Sequence, residues 1–301
     1  MAKRPRAVHQ LTVAQFEATF PDEEACQAYL VARRWPEGVT CPRCGNAELY
    51  DASSYKPFHW QCRACAPQGY RFSCIAETIF ENTNKPLRDW YRVIHLMLVS
   101  KKGMSALQIM RYMGFGSYKT AWYMCHRVRV ALAERDFKKL GGVVEVDETY
   151  VGGKAKNRHP DDRGKGRGPH HSGKSFVAGA VQRKGNVVAR VVANVKRVTL
   201  EAFIHEAVSK KVSLLITDNW TSYRKLGKEF PHAIIDHKSA YVVGAIHTNT
   251  IEGFWSIIKR GAVGAFHKVS AKYLPLYVAE FQFRYNNRMN ADIFGAAISG
   301  C

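Results

Sequence analysis

No stretch of this sequence carries the roughly 18 to 20 consecutive apolar residues that a bilayer-spanning helix needs, so no transmembrane helix and no membrane partner are expected. The first residues, Met1-Ala2-Lys3-Arg4-Pro5-Arg6, are basic but lack the apolar core of a secretory signal. A cytoplasmic, nucleoid-associated protein is the resulting expectation. Acidic residues are scarce: 25 Asp and Glu face 45 Lys and Arg, giving a net charge of +20. That excess attracts polyanions over long range. Nucleic acid is the first candidate, and an anionic membrane surface the alternative. The length, 301 residues, allows two or three domains with one sizeable core.

A disulfide framework is not expected in a chain of this size and compartment, so the eight cysteines need another reading. Cys26, Cys74, Cys125 and Cys301 are scattered among apolar residues and read as inert. The other four form two knuckles, Cys41-Pro42-Arg43-Cys44 and Cys62-Arg63-Ala64-Cys65, in the pattern C-x2-C-x17-C-x2-C. That spacing suits one structural zinc ion held by four thiolates. Leu49, Tyr50, Tyr55, Phe58 and Trp60 between the knuckles point to short strands. So small a ribbon folds on its metal. It either reads DNA or braces the next module. His59 is read as a surface strand residue, because four thiolates already fill a tetrahedral ion.

Residues 1–36 form a basic arm followed by helix, with Asp22-Glu23-Glu24 after Pro21 as a helix start. The zinc ribbon occupies 37–80. Residues 81–137 are helical. Pro86 suits a first helical position, Ser105 caps a second helix, and Gly114-Phe115-Gly116 is a turn before a third. The third helix turns Ala121, Trp122, Cys125, Val128 and Leu132 inward and carries Lys119, His126, Arg127 and Arg129 on its other side. This is a helix-turn-helix pattern, and Lys119, Arg127 and Arg129 are its candidate DNA contacts.

Residues 138–301 read as an α/β domain in the order three strands, helix, strand, helix, strand, helix, which is the order of the ribonuclease H arrangement. The stretch from Gly152 to Lys174 is rich in glycine, histidine and basic residues. It reads as a loop over a phosphate backbone or as a solvated insertion. Asp147 ends the run Val143-Val144-Glu145-Val146, Asp218 ends Leu214-Leu215-Ile216-Thr217, and Glu252 opens a patterned helix. A carboxylate at the end of a buried strand is costly. Hard cations remove that cost, and three carboxylates gathered from distant segments could hold two Mg²⁺ or Mn²⁺ ions for phosphodiester chemistry. Glu252 and Lys259 are two helical turns apart and share a side, with Asn249 and Ser256 flanking the glutamate. Thr199 is read as a helix cap. Glu280, Arg284 and Arg288 form either an ion-pair ladder or a phosphate contact.

Several strings together resemble one family. They are RWPEGVTCPRCG, TIFENTNKPLRDW, YKTAWYMCHRVR, VDETYVGGK, LLITDNW, HTNTIEGFWSIIKRG and FQFRYNNR, from about Phe20 to Arg288. In this order they resemble the zinc-ribbon DDE transposases of bacterial insertion sequences, a group related to the eukaryotic Merlin-type transposases. The resemblance implies a ribonuclease H-like catalytic core, with Asp147, Asp218 and Glu252 as catalytic metal ligands and Lys259 beside DNA. Arg260 is taken as a further DNA contact. Some members carry asparagine in place of the third acid; this chain keeps Glu252. The match at Asn287 is softer, which touches only the accessory helix. Implied partners are double-stranded DNA, as terminal inverted repeats and as target, and further copies of the chain in a dimer or larger synaptic assembly. A structure-specific nuclease on the same fold, and a DNA-binding regulator that has lost catalysis, are the alternatives.

Overall fold

A computed structural model describes residues 11–134, 137–153, 174–235 and 246–301. The chain divides into two compact units. The first holds Met1–Ser100, Met104–Leu132 and Arg288–Cys301; the second holds Lys101–Gly103 and Ala133–Asn287.

The first unit opens with α1 (Val13–Thr19) and α2 (Glu23–Arg34). Thr12 and Gln15 form a reciprocal cap on α1, and Asp22 caps α2 by accepting from Ala25 N at 2.8 Å. A three-stranded antiparallel ribbon follows, with β1 (Leu49–Asp51), β2 (His59–Cys62) and β3 (Tyr70–Ser73) in that order. Then come α3 (Leu87–Val99), α4 (Ala106–Met113) and α5 (Tyr118–Ala131). Ser105 caps α4 as expected, and Gly114 adopts φ +65° to end it, a left-handed conformation that glycine takes without steric cost. Pro86 stands one position before α3 rather than inside it and offers no side-chain cap. Glu23 of α2 fills that role, accepting from Leu87 N at 2.6 Å and Arg88 N at 3.0 Å.

A last helix, α9 (Ile293–Ser299), completes this unit. Phe294 sits 5.3 Å from Phe20 and 5.4 Å from Tyr91, ring centre to ring centre, and Arg33 pairs with Asp292. The sequence reading ran the catalytic domain through to residue 301. In the structure Arg288–Cys301 group with the N-terminal helices, because an apolar face of Ile293, Phe294, Ala297 and Ile298 is buried among their aromatic rings.

The second unit is built on a five-stranded mixed sheet of β4 (Val143–Val151), β5 (Ser175–Gln182), β6 (Val187–Val192), β7 (Leu214–Asp218) and β8 (His232–Ile235). The order across it is β6-β5-β4-β7-β8, antiparallel through β4, β5 and β6 and parallel from β4 to β7 to β8. Lys184, at φ +58°, turns the β5–β6 hairpin. α6 (Arg197–Ala207) covers one face, where Leu200, Phe203 and Ile204 meet Val144, Val146, Ala178 and Leu215. α7 (Asn249–Arg260) and α8 (Leu274–Asn286) cover the other, where Ile251, Phe254, Trp255 and Val278 meet Val177, Val181 and Ala189. Burial on both faces explains why these strands read as nearly continuous apolar runs rather than alternating ones.

Three local expectations change. α6 begins at Arg197, and Thr199 lies inside its first turn with Oγ1 donating to Asn194 at 2.8 Å. The helix expected between β7 and β8 is two short 3-10 turns, Thr221–Tyr223 and Leu226–Lys228. Glu280 and Arg284 on α8 do pair, at 3.2 Å, but the pair is buried rather than exposed. The Gly152–Lys174 loop falls almost wholly outside the described residues.

Candidate metal centres and nucleic-acid surfaces

The zinc ribbon brings its four thiols together. Cys41 and Cys65 Sγ are 3.7 Å apart, Cys44 and Cys62 3.6 Å, and Cys44 and Cys65 3.5 Å. A tetrahedron with metal–sulfur bonds of about 2.3 Å has edges of about 3.8 Å, so the four sulfurs fit one zinc ion. Among the described residues this is also the set of metal-ligating side chains whose atoms all lie within 4.8 Å of one another. The first knuckle is closed by Gly45, whose N–H reaches Cys41 O at 2.8 Å with φ +74°. His59 takes no part; its Nδ1 contacts Pro57 O at 2.8 Å. The ribbon is tied to α2, since Arg34 donates to the carbonyls of Cys74 and Ala76 and Trp35 packs on Trp60. Burial, the main effect, pushes the Cys26 thiol up to about 12, which leaves it inert at neutral pH.

The α3–α5 helices narrow the expected DNA face. Lys119 is exposed, alongside Arg111, Tyr112, Tyr118 and Tyr123. Arg127 is half-buried and donates to the carbonyls of Glu81 and Thr78. Arg129 is 2% exposed, and His126 is also buried. Placing Arg129 on the outer side of α5 was therefore a misreading: the helix turns it into the packed interior, away from any phosphate.

The carboxylate site lies at one end of the β4–β7 pair. Glu145 is level with Ile216 in the parallel register, and continuing two residues brings Asp147 level with Asp218 on the same face. Burial, with help from the Glu148 and Asp218 carboxylates, pushes Asp147 up to about 7 from an ordinary 3.8. Two hydrogen bonds act against this, one from the Glu148 backbone and one from α7, where Trp255 Nε1 donates to Asp147 Oδ2 at 3.0 Å. Trp255 can lie there because Gly179 stands opposite Asp147 on β5. A Cβ at that glycine would come within 2.5 Å of the indole. Asp218 Oδ1 accepts from Trp220 N at 3.1 Å. Glu148 points to the α6 side, where Tyr223 Oη donates to it at 2.5 Å. Burial raises Glu148 as well.

Glu252 is exposed in the first turn of α7, with Oε1 accepting from Thr248 Oγ1 at 2.8 Å. Lys259 and Arg260 are exposed at the far end of that helix. The structure thus brings Asp147 and Asp218 near one another and puts Glu252 on the helix that touches Asp147. Among the described residues, no three carboxylates draw within the 4.8 Å span of the thiols. Two ions about 3.5 to 4 Å apart spread their ligands more widely than one tetrahedral ion does. The oxygen donors of Asp147, Asp218 and Glu252 are of the hard kind that suits Mg²⁺ or Mn²⁺.

Several of these contacts were not anticipated. Trp255 reads from sequence as core, Gly179 as a strand residue, and Glu145 as one member of an apolar run. Glu145 is fully buried. A charged residue inside such a run was the available signal.

Comparison with known proteins identifies a transposase with a zinc ribbon. Residues 139–286 match the ISXO2-like transposase domain, and residues 21–68 match the transposase zinc-ribbon domain. An uncharacterized protein in transposable element ISH50 of Halobacterium salinarum is 27% identical over 282 residues, 88% of this chain and 92% of that protein. An uncharacterized transposase-like protein of Haemophilus influenzae is 34% identical over 105 residues, 35% of this chain and 84% of that one. The chain belongs to the IS1595 family of zinc-ribbon transposases.

Two outcomes are expected. Chelating zinc makes Cys41, Cys44, Cys62 and Cys65 open to alkylation at neutral pH while Cys26 and Cys125 stay unmodified, as read by peptide mass spectrometry. Alkylation indifferent to the chelator would contradict the four-thiol site. The second concerns Asp147. Its folded value lies above its unfolded one, so its contribution favours the folded state at low pH and is lost as pH rises through about 7. A cation favours the charged form, so the rise in Tm on adding Mn²⁺ is small near about pH 5.5 and larger near about pH 8. An equal rise at both would contradict this.

Proposed function

We propose that the chain binds the terminal inverted repeats of its insertion sequence, cuts there and joins the freed end to target DNA. The observation that carries this is the nearness of the Asp147 and Asp218 carboxylates, on adjacent parallel strands and beside a helix that bears Glu252. In this reading the second unit is a ribonuclease H-like core, consistent with its strand order. Asp147, Asp218 and Glu252 would hold two Mg²⁺ or Mn²⁺ ions, which supply an activated oxygen nucleophile and neutralise the leaving oxygen.

The chain's own groups do the rest. Trp255 N–H occupies one oxygen of Asp147 and orients the other. Tyr223 holds Glu148 toward the opposite face. Lys259 and Arg260 offer charge to a phosphate backbone along the side that carries Glu252. The ribbon and the α3–α5 helices bind the repeats, with exposed Lys119 on that surface and Arg127 bracing it. The net charge of +20 favours the encounter with DNA. Joining two ends calls for a dimer or larger assembly.

The test is incubation with a labelled end of the element and a plasmid, in Mg²⁺ or a chelator. Metal-dependent transfer of the 3′ strand to the plasmid is expected. Asp147→Asn lowers cutting roughly a hundredfold or more while end binding stays nearly intact. Cutting without joining would favour a nuclease, and binding with neither a regulator.

A further inference from the structure

Glu145 has no role in the chemistry just described, yet it is a buried carboxylate with four hydrogen bonds to its two oxygens. Its side chain is 0% exposed. Oε1 accepts from Arg183 Nε at 2.6 Å and Thr250 Oγ1 at 2.8 Å. Oε2 accepts from Thr250 N at 2.8 Å and Ile251 N at 3.1 Å. These four bonds use the roughly four lone-pair sites of a carboxylate. Arg183 also donates to His247 O at 2.9 Å, just before the helix, and His247 Nδ1 stands 3.4 Å from Glu145 Oε1.

The partners matter because of what they belong to. Thr250 and Ile251 lie in the first turn of α7, whose local cap residue, Thr248, makes no side-chain capping bond. Thr248 turns its hydroxyl to Glu252 instead. The first backbone N–H groups of a helix need acceptors, and its positive end favours an anion. Glu145 supplies both from a neighbouring strand. It also lies two residues before Asp147 on the same face of β4.

We propose that Glu145, held by Arg183, is a positioning residue: it pins the start of α7 to β4 and so sets where Glu252 stands relative to Asp147. This rests on reading the three carboxylates as a metal site. Glu145 touches no reacting atom in that scheme. It is to the site what an outer-sphere partner is to a metal ligand, holding the ligand's carrier in place. Arg183, which reads from sequence as a hairpin turn residue, is the counter-charge that makes a fully buried carboxylate tolerable.

The experiment compares the full-length protein with Glu145→Gln and with the milder Thr250→Val. Amide hydrogen exchange is measured without metal, and Mn²⁺ binding by titration with the metal alone. In Glu145→Gln, faster exchange confined to the peptide spanning the start of α7 is expected. Mn²⁺ affinity is expected to fall by about tenfold or more, and DNA cutting to recover at raised Mn²⁺. Thr250→Val should move both readouts the same way, by less. Exchange that speeds up evenly across the sheet with unchanged Mn²⁺ affinity would overturn the proposal, as would no change in either. If Glu145→Gln does not fold, unchanged exchange and affinity in Thr250→Val overturn it. A wild-type chain that binds no Mn²⁺ at these carboxylates would instead sink the metal-site reading.

Discussion

Parallel pairing of β4 with β7 brings the Asp147 and Asp218 carboxylates near one another, and the second unit is arranged around that. At a strand spacing of about 5 Å and an effective dielectric near 20, two such charges repel by roughly 3 kcal/mol. At Asp147 the indole of Trp255 donates to one carboxylate oxygen. Burial above all, with the Glu148 and then the Asp218 carboxylate adding to it, raises the Asp147 carboxyl to about 7. A group kept in that condition is a destination for a cation, and the sheet order that creates it cannot be changed without unpairing β7 from the centre of the sheet.

One strand face displays both ways of treating a buried carboxylate. Glu145 and Asp147 are separated by a single residue and point the same way. Glu145 is closed off by Arg183 and the first turn of α7. Asp147 accepts instead from the Trp255 indole and the Glu148 backbone. The same device recurs in the first unit, where Glu23 on α2 accepts the first two N–H groups of α3. In both places a helix start without its own side-chain cap is anchored by a glutamate from elsewhere. That fixes the helix as a body rather than merely ending it.

Much of this was legible in the sequence. The cysteine spacing pointed to the ribbon because a tetrahedral thiolate site tolerates few loop geometries. The apolar runs before Asp147 and Asp218 located the two strands, but only β7 ends at its acid; β4 continues four residues past Asp147 to Val151. What stayed hidden was set by tertiary packing. Nothing local says that Arg129 faces inward while Lys119 faces out, since both sit on one amphipathic helix with a mixed pattern. Nor does local sequence tell that the last helix packs with Phe16, Phe20 and Tyr91, far away in the chain. Glu145 is hidden for a different cause: one charge among three valines reads as part of an apolar run, and its partners Arg183, Thr250 and Ile251 lie far away in the chain.

The central claim is that Asp147 and Asp218 are paired to receive divalent ions and that Glu252 completes their shell. The most direct measurement is a crystal structure of the protein with Mn²⁺, using the anomalous signal of the metal. The account predicts Mn²⁺ density between Asp147 and Asp218, with the Glu252 carboxylate turned from Thr248 toward the ion. Crystals with no metal at these carboxylates, or with metal there and Glu252 still bonded to Thr248, would contradict it.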